Sequence, residues 1–570
     1  MPSSRPHALP LPAITRPRWL LRASVDQLIW WAAAFWALVA NTGFITEALK
    51  GVPAGSVATW GYRLALAAGL TGLHALLLAL VATRWTVKPV LAVLVVASAF
   101  ASFYMQRYGV YLDPSMLRNV VHTNPAEARE LITWSLLPHL ALQAALPLAL
   151  LWRVQLVQRP LWRACAGRLA TVAGALLLLA GALFAAFQPL SSAMRNHKAT
   201  RYLVTPANLV WSAGKLSVAQ AGQMQRPRQA IGLDAKPGAA WARWHKPRVI
   251  VLVVGETARA ANWGLNGYAR ATTPELAALP VINFAHVSSC GTNTEVSLPC
   301  MFAPVGRRDY DEDRIRSSES LLHVLQRAGV QVHWRDNQSG CKGVCEGLPQ
   351  DSVQAQALPQ LCDGERCLDE GLLQGLPERL AQARGVQLLV LHQMGNHGPA
   401  YSRRYPAGYA RFAPACEDAD LQHCSREQIV NAYDNALLYT DHLLARLVGT
   451  LQAQSDRLDA AMLYVSDHGE SLGESGLFLH GMPYPIAPRE QTEVPMVMWA
   501  SDGFARSAGL DLDCLRRRAA EPAAHDHLFH TLLGLADVQT ALYEPGLDLT
   551  RGCRAAGTTA AAQSSTPSAM

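Results

Sequence analysis

The sequence predicts two unlike parts in one chain: an α-helical transmembrane domain of five spans, then a soluble α/β/α domain on a mostly parallel sheet. Three observations carry this. Apolar runs dominate from about Leu28 to Phe187, whereas from about Arg195 the composition is that of a soluble protein. Beyond residue 246, continuous apolar β-rich runs alternate with helical patterns, as in a parallel sheet covered on both faces. Ten of the eleven cysteines lie between Cys290 and Cys553, most of them in close pairs. That is the pattern of a disulfide framework in an oxidising compartment.

The chain has 570 residues, enough for two or three units. Half of them are hydrophobic and only 16% are charged, which is lean for a soluble enzyme. Much of the net charge of +7 comes from membrane-flanking arginines, so no nucleic-acid partner is expected.

A span needs about 20 apolar residues. Five stretches qualify, near 26–48, 58–82, 89–107, 134–156 and 166–188, within a membrane domain 1–188. The first carries Trp30, Trp31 and Trp36. It is too long for a cleaved signal peptide and lacks a small-residue cleavage site. Basic residues set the orientation. Arg5, Arg16, Arg18 and Arg22 precede the first span, Arg84 and Lys88 follow the second, and Arg153, Arg159, Arg163 and Arg168 surround the last connection. These segments read as cytoplasmic, so the five spans put the soluble part outside.

The third-to-fourth connection, "YGVYLDPSMLRNVVHTNPAEARELIT", lies on that outer side. Its Asn119, Thr123 and Glu127 recur every four residues, as on one helical face. From the pattern alone this is the solvated face of an interfacial helix. Residues 189–245 read as an amphipathic, basic bridge with little periodicity, carrying Arg195, Lys198, Arg201, Lys215, Arg226 and Arg228. It lies along anionic headgroups or is a plain linker.

In the soluble part, 246–553, "RVIVLVV", "VQVHW", "VQLLVLHQM", "AAMLYVS" and "VPMVMWA" are the strands. Ligands bind beyond the carboxyl ends of such strands, and these ends carry Glu256, His397, Asp467 and His468. Taken singly, each reads as a cap, a turn or a loop residue, and His480 before Gly481 likewise. Taken together, they are a mix of carboxylate and imidazole that suits zinc. The stretch "CGTNTEVSLPC" offers three hydroxyls, Thr292, Thr294 and Ser297. A bound zinc lowers the pKa of such a hydroxyl and stabilises phosphoryl charge. The combination points to phosphoryl transfer through a covalent intermediate and leaves three candidate nucleophiles.

The cysteines pair by proximity as Cys290/Cys300, Cys341/Cys345, Cys362/Cys367 and Cys416/Cys424, with Cys514 and Cys553 left as a long-range pair and Cys165 alone in the apolar half. The close pairs have spacers of nine, three, four and seven residues, whereas zinc knuckles want two.

The stretches "VGETARAANWGLNGYARATTPEL", "CGTNTEVSLPCMF", "HWRDNQSGCKGVC", "LHQMGNHGPAY" and "YVSDHGESLGE", with "DPSMLRNVVHTNPAEA" in the membrane half, resemble the lipid A phosphoethanolamine transferases, the group that includes colistin-resistance enzymes. The likeness runs from about Leu20 to Cys553. It implies an alkaline phosphatase/sulfatase-like fold for the soluble domain. It implies zinc held by Glu256, Thr294, Asp467 and His468, with Thr294 as nucleophile. His397 and His480 would lie near the substrate, as ligands of a second zinc or as acid and base. Asn119, Thr123 and Glu127 match the family's donor-binding positions.

The implied reaction takes phosphoethanolamine from phosphatidylethanolamine, releases diacylglycerol and modifies a lipid A phosphate, lowering susceptibility to polymyxins. The implied setting is a monomer among the lipids of a Gram-negative inner membrane, N-terminus cytoplasmic and catalytic domain periplasmic. A core heptose, a glucan or a protein is the alternative acceptor. A sulfatase would need C-x-P-x-R, which Cys300-Met301-Phe302-Ala303 does not supply. The alanine- and serine-rich tail 554–570 is expected to be disordered.

Overall fold

A computed structural model describes residues 21–50, 56–196, 198–224, 228–356, 358–364 and 366–554. The tail from 555 onward lies outside them, as do Arg5, Arg16, Arg18 and Arg226. The chain forms two compact units, the first from residues up to Phe103 plus Leu137–Ala207, the second from Tyr104–Leu136 plus Asn208 onward. The sequence predicts 104–136 inside a membrane domain 1–188; in the structure that segment belongs to the second unit.

Among the described residues, four helices are long and apolar enough to cross a membrane: Val57–Val81, Val87–Tyr108, Leu136–Arg153 and Leu161–Phe187. A fifth candidate is the bent pair Val25–Ala40 and Thr42–Ala48, broken by 59°. The break has a cause at Asn41. Its side chain donates to the Trp36 carbonyl at 2.9 Å and to the Thr205 carbonyl at 2.6 Å, and accepts from the Thr205 amide at 2.9 Å. A side chain inserted into the helix ladder produces such kinks. Many large apolar side chains face outward, among them Leu64, Leu80 and Phe184, as lipid-facing surface requires.

The second unit is built on an eight-stranded sheet. In chain order its strands are β1 (Arg248–Gly255), β2 (Ile282–Ser288), β3 (Gln331–Asp336), β4 (Gln350–Ser352), β5 (Val386–His392), β6 (Asp459–Ser466), β7 (Glu493–Ala500) and β8 (Ala523–Ala524). Their spatial order is β8-β2-β7-β6-β1-β5-β3-β4. Only β7 runs antiparallel to its neighbours. Every residue of β1, β5 and β6 is buried, which is why those segments read as unbroken apolar runs. Leu252, Leu388 and Leu463 share a core with Leu322, Leu325, Phe529 and Leu532.

Four helices matter for the site: α1 (Pro114–His122), α2 (Pro125–Glu130), α3 (Thr294–Met301) and α4 (Arg426–Gln452). The expected single helical face of Asn119, Thr123 and Glu127 does not exist. Thr123 is extended, and Asn124 caps a new helix by accepting from the Glu127 amide. Pro125 forces this break, because the residue before a proline avoids the helical region.

Residues 189–245 differ from the expectation as well. The last membrane helix continues to Asn196, and an 18-residue helix spans Ala207–Met224. Its buried face is Asn208, Ser212 and Leu216. Two polar residues on the inward stripe hide the helical period from a hydrophobicity reading.

The expected cysteine pairs are all disulfides: Cys290–Cys300, Cys341–Cys345, Cys362–Cys367, Cys416–Cys424 and Cys514–Cys553. Cys165 is free.

Candidate active site

Strand register brings the ligand-type groups together. Gly255 at the end of β1 pairs with Ser466 at the end of β6, so Glu256 and Asp467 step off adjacent parallel strands side by side. Val254 pairs with His392 of β5, which places the loop to His397 on the other flank. Gly395 turns that loop with φ +52°, and a Cβ there would come within 2.6 Å of the Glu256 carbonyl. Only glycine fits such an approach. From the far side comes α3, whose first residue is Thr294 and whose cap is Asn293, accepting from the Val296 amide at 3.0 Å. The positive end of the helix therefore lies at the Thr294 hydroxyl.

The Thr294 hydroxyl lies 3.2 Å from both oxygens of Glu256 and 3.4 Å from His468 Nε2. His468 Nε2 is in turn 3.3 Å from Glu256 and 3.4 Å from Asp467 Oδ2. All four side chains are buried. The other two hydroxyls of the loop are engaged elsewhere: Thr292 donates to the Met482 carbonyl at 2.6 Å, and Ser297 donates to the Asp467 carbonyl. Of the three candidates, Thr294 alone faces the carboxylates.

The donor set fits a metal ion. Glu256, Asp467 and His468 each offer a ligand atom, all within 4.8 Å of one another. Asp467 Oδ1 accepts from the Thr257 and His468 amides, but its wholly buried Oδ2 has no hydrogen-bond partner among the described residues. A buried, orphaned carboxylate oxygen calls for a cation. His468 Nδ1–H donates to the Gly469 carbonyl at 2.9 Å. That bond fixes the ring and turns Nε2 inward, as the outer hydrogen bond does for metal-binding histidines.

Electrostatics agree. Burial opposes a charged imidazole, but the Asp467 and Glu256 carboxylates outweigh it and lift His468 to about 10. Burial would raise Glu256, yet the hydrogen bond and charge of His468 hold it well below the usual carboxylate range. Burial first, then the Glu256 charge, push Asp467 up. The two carboxylates that favour a charged imidazole here would equally favour a divalent cation.

His480 and His397 line the same space. The rings of His468 and His480 are 4.3 Å apart, and those of His397 and His480 are 5.6 Å apart. His480 Nδ1 donates to Glu470 at 2.7 Å, and Tyr401 donates to the other Glu470 oxygen at 2.6 Å. Gly481, with φ +92°, follows His480, and a Cβ there would come within 2.5 Å of the Met116 thioether methyl. Helix α1 thus lies against this loop.

Not every residue singled out from the sequence joins that cluster. Asn119, Thr123 and Glu127 are not tied to it by hydrogen bonds: Thr123 donates to the Asn119 carbonyl at 2.7 Å, and Glu127 accepts from Asn124 at 2.9 Å. Cys424 does not belong to the site either, in contrast to Cys290 and Cys300, which bracket Thr294. Cys424 is only half-buried and directly precedes Ser425, the cap of α4. Its amide donates to the Leu421 carbonyl at 3.2 Å, and its partner Cys416 donates from its own amide to the Gln428 carbonyl at 2.9 Å. The Cys416–Cys424 bridge therefore closes a surface loop onto the first turn of α4. Its place is structural, because none of these bonds reaches Glu256, Asp467 or His468.

Several groups at the site escaped the sequence reading. Glu470 was visible in "SDHGES" without a role. His525 accepts from the Cys290 amide at 3.0 Å and donates to the Ser466 carbonyl at 2.9 Å, bridging the hydroxyl loop to the end of β6. Glu295, next to Thr294, meets His122, Lys342 and Arg316. Burial would raise its carboxyl, but the Lys342 charge foremost, then Arg316 and the His122 hydrogen bond, hold it below the ordinary value. No local signal marks His525 or the partners of Glu295, which converge only in the fold.

A sheet with these groups beyond its strand ends defines a sulfatase-like domain, and residues 248–538 match the family model described as Sulfatase. Residues 70–221 match the model described as Phosphoethanolamine transferase EptA/EptB. The integral membrane protein lipooligosaccharide phosphoethanolamine transferase A from Neisseria meningitidis superposes with a TM-score of 0.90 at 36% identity, covering 94% of this chain and 99% of its own. Phosphoethanolamine transferase EptA of Escherichia coli K12 is 35% identical over 547 residues, 94% of this chain and 99% of the relative. Phosphatidylethanolamine transferase Mcr-1 of Escherichia coli is 38% identical over 518 residues, 89% and 94% of the two chains. The chain belongs to the EptA/EptB phosphoethanolamine transferase family.

Proposed function

We propose that this protein moves phosphoethanolamine from phosphatidylethanolamine to a lipid A phosphate through an ester on Thr294. The observation that carries the reading is the Thr294 hydroxyl, buried within 3.2 Å of both Glu256 oxygens while its neighbours Thr292 and Ser297 bond to backbone carbonyls. The names of the similar proteins supply the transferred group and the lipid donor, and the lipooligosaccharide of the Neisseria relative suggests the class of acceptor.

Glu256, Asp467, His468 and Thr294 would hold a zinc ion, with His397 and His480 available to a second. When bound, zinc lowers the pKa of the threonine hydroxyl and stabilises phosphoryl charge. The chain's own groups do the rest. Thr294 Oγ attacks the donor phosphorus, a Thr–O–P bond forms, the bond to diacylglycerol breaks, and the lipid leaves as an alcohol with one proton. Where it holds no second zinc, His480, oriented by Glu470, would give and take that proton. A lipid A phosphate oxygen then attacks the same phosphorus and frees Thr294, giving ping-pong kinetics.

Anchoring the catalyst in the membrane that holds both lipid substrates confines the reaction to one surface and raises effective concentrations. The disulfides and the basic residues flanking the spans favour a periplasmic catalytic domain, with the N-terminus in the cytoplasm. The product gains an ammonium group, which weakens attraction of cationic peptides such as polymyxins.

The test is mass spectrometry of lipid A from cells expressing the intact chain or Thr294→Ala. The wild type adds one phosphoethanolamine to lipid A and carries a protein adduct of the same mass. Thr294→Ala does neither, with turnover at least ~1,000-fold lower. An adduct persisting on Thr294→Ala, or lipid A unchanged by the wild type, refutes the reading.

A further inference from the structure

The stapled loop Cys290–Cys300 carries one charged side chain, Glu295, directly after Thr294. The reaction above does not use it, yet it is the hub of a buried ion cluster. Its carboxylate is only 1% exposed. His122 of α1 donates from Nδ1 at 3.0 Å, the Lys342 ammonium lies at 3.3 Å and the Arg316 guanidinium at 3.4 Å. Arg316 also donates to the Glu295 carbonyl.

Lys342 is delivered with some strain. It sits inside the Cys341–Cys345 disulfide loop with φ +48°, a left-handed conformation that a lysine adopts only under constraint. Its remaining bonds go to Ser339, at 2.7 Å to the hydroxyl. Helix α1 is bound twice on one face. His122 reaches Glu295, and Arg118, one turn earlier, reaches Glu312, which Arg316 also contacts at 3.1 Å. Nitrogen donors from three distant parts of the chain thus converge on the residue beside the nucleophile. A lone buried carboxylate would be costly there; the Lys342 and Arg316 charges and the His122 hydrogen bond compensate it.

We propose that Glu295 is a positioning residue for the donor half-reaction: it fixes Lys342 and His122 beside Thr294, where an anionic phosphodiester headgroup must enter. This rests on the function proposed above. Removing the carboxylate frees Lys342 and His122 to move, so headgroup binding suffers, while the hydroxyl and its Glu256–His468 surroundings stay as they are.

The experiment uses the full chain in detergent with phosphatidylethanolamine in mixed micelles, reading diacylglycerol release. Glu295→Ala raises KM for the lipid about tenfold and changes kcat less than about threefold; Glu295→Asp, which keeps the charge, recovers to within about threefold. His122→Gln, at a half-exposed position, raises KM about threefold alone and adds nothing on top of Glu295→Ala. The inference is overturned if KM is unchanged while kcat falls, if Glu295→Asp fails as badly as Glu295→Ala, or if the His122 and Glu295 effects simply add. Should Glu295→Ala not fold, the Asp and His122 variants decide by the same KM readout. A wild type that releases no diacylglycerol refutes the proposed function itself; a wild type that turns over beside a Glu295→Ala with normal KM refutes only this inference.

Discussion

Glu130, at the end of α2, is a residue whose loss should cost the second unit several kcal/mol. Its side chain is 2% exposed, and it pairs with Arg404 at 2.6 Å and with Arg366, which are themselves 1% and 9% exposed. At an effective dielectric of ~20, a contact of that length is worth roughly 6 kcal/mol of gross attraction. Desolvation of the ions offsets much of it, but removing one partner leaves the others buried and uncompensated, typically a loss of about 3–5 kcal/mol. For a unit of this size ~2 °C of Tm accompanies each kcal/mol, so Glu130→Ala should melt roughly 6–10 °C lower. The assay is thermal unfolding of the full chain in detergent, followed by tryptophan fluorescence. Combining Glu130→Ala with Arg404→Ala should restore about 1–3 kcal/mol relative to the sum of the two. A shift under ~2 °C, or strict additivity, would refute the argument. Function should follow, because Arg404 also donates to the His397 carbonyl at 2.6 Å.

Three further outcomes are expected. Glu470→Gln unfixes His480 from its 2.7 Å bond and should lower kcat about 10–100-fold with Tm nearly unchanged, read from steady-state kinetics beside a melting curve. Stripping the protein with a chelator should lower Tm by roughly 5 °C and restoring micromolar zinc should reverse it, since a ligand at about 100 times its Kd contributes about 2.7 kcal/mol; identical melts with and without metal count against the metal site. Burial, against the pull of its Ser466 hydrogen bond, holds His525 down at about 4. The unfolded chain therefore binds a proton below about 6.5 that the folded chain refuses, so this stability is whole above that pH and falls away between about 6.5 and 4, by about 3 kcal/mol. His525→Gln should flatten that slope in melts from about pH 7.5 to about 4.5; an equally steep slope sinks the assignment.

What could be read from the sequence follows from locality. β1, β5 and β6 announce themselves because both faces are covered, and Glu256, Asp467 and His468 because they follow those runs directly. The disulfides were legible because most partners are close in sequence, but closeness says nothing of which bridge serves the site: Cys290–Cys300 encloses Thr294, whereas Cys416–Cys424 only fastens the loop before α4. The break between α1 and α2 was signalled by Asn124-Pro125, but a spacing of four across Asn119, Thr123 and Glu127 imitates a helix well enough to mask it. The helix Ala207–Met224 was hidden for the opposite reason, since its buried stripe carries Asn208 and Ser212. His122, Arg316 and Lys342 are far from Glu295 in the chain, and no spacing rule joins them.

The hydroxyl-rich loop shows how structure completes such a reading. Composition and spacing left Thr292, Thr294 and Ser297 equivalent, and family likeness chose among them without giving a physical reason. The bonds supply one. Ser297 ties α3 to the Asp467 carbonyl, at the strand end that offers two of the ligand groups, and Thr292 ties the loop to the Met482 carbonyl, two residues past His480. His525 holds the Cys290 amide at the loop's start, and the Cys290–Cys300 disulfide closes it. Two of the three hydroxyls are therefore fasteners, and what they fasten is the third. A loop held at these points lets Thr294 meet Glu256 and His468 without a search, so the ordering entropy is lost on folding and not at each turnover.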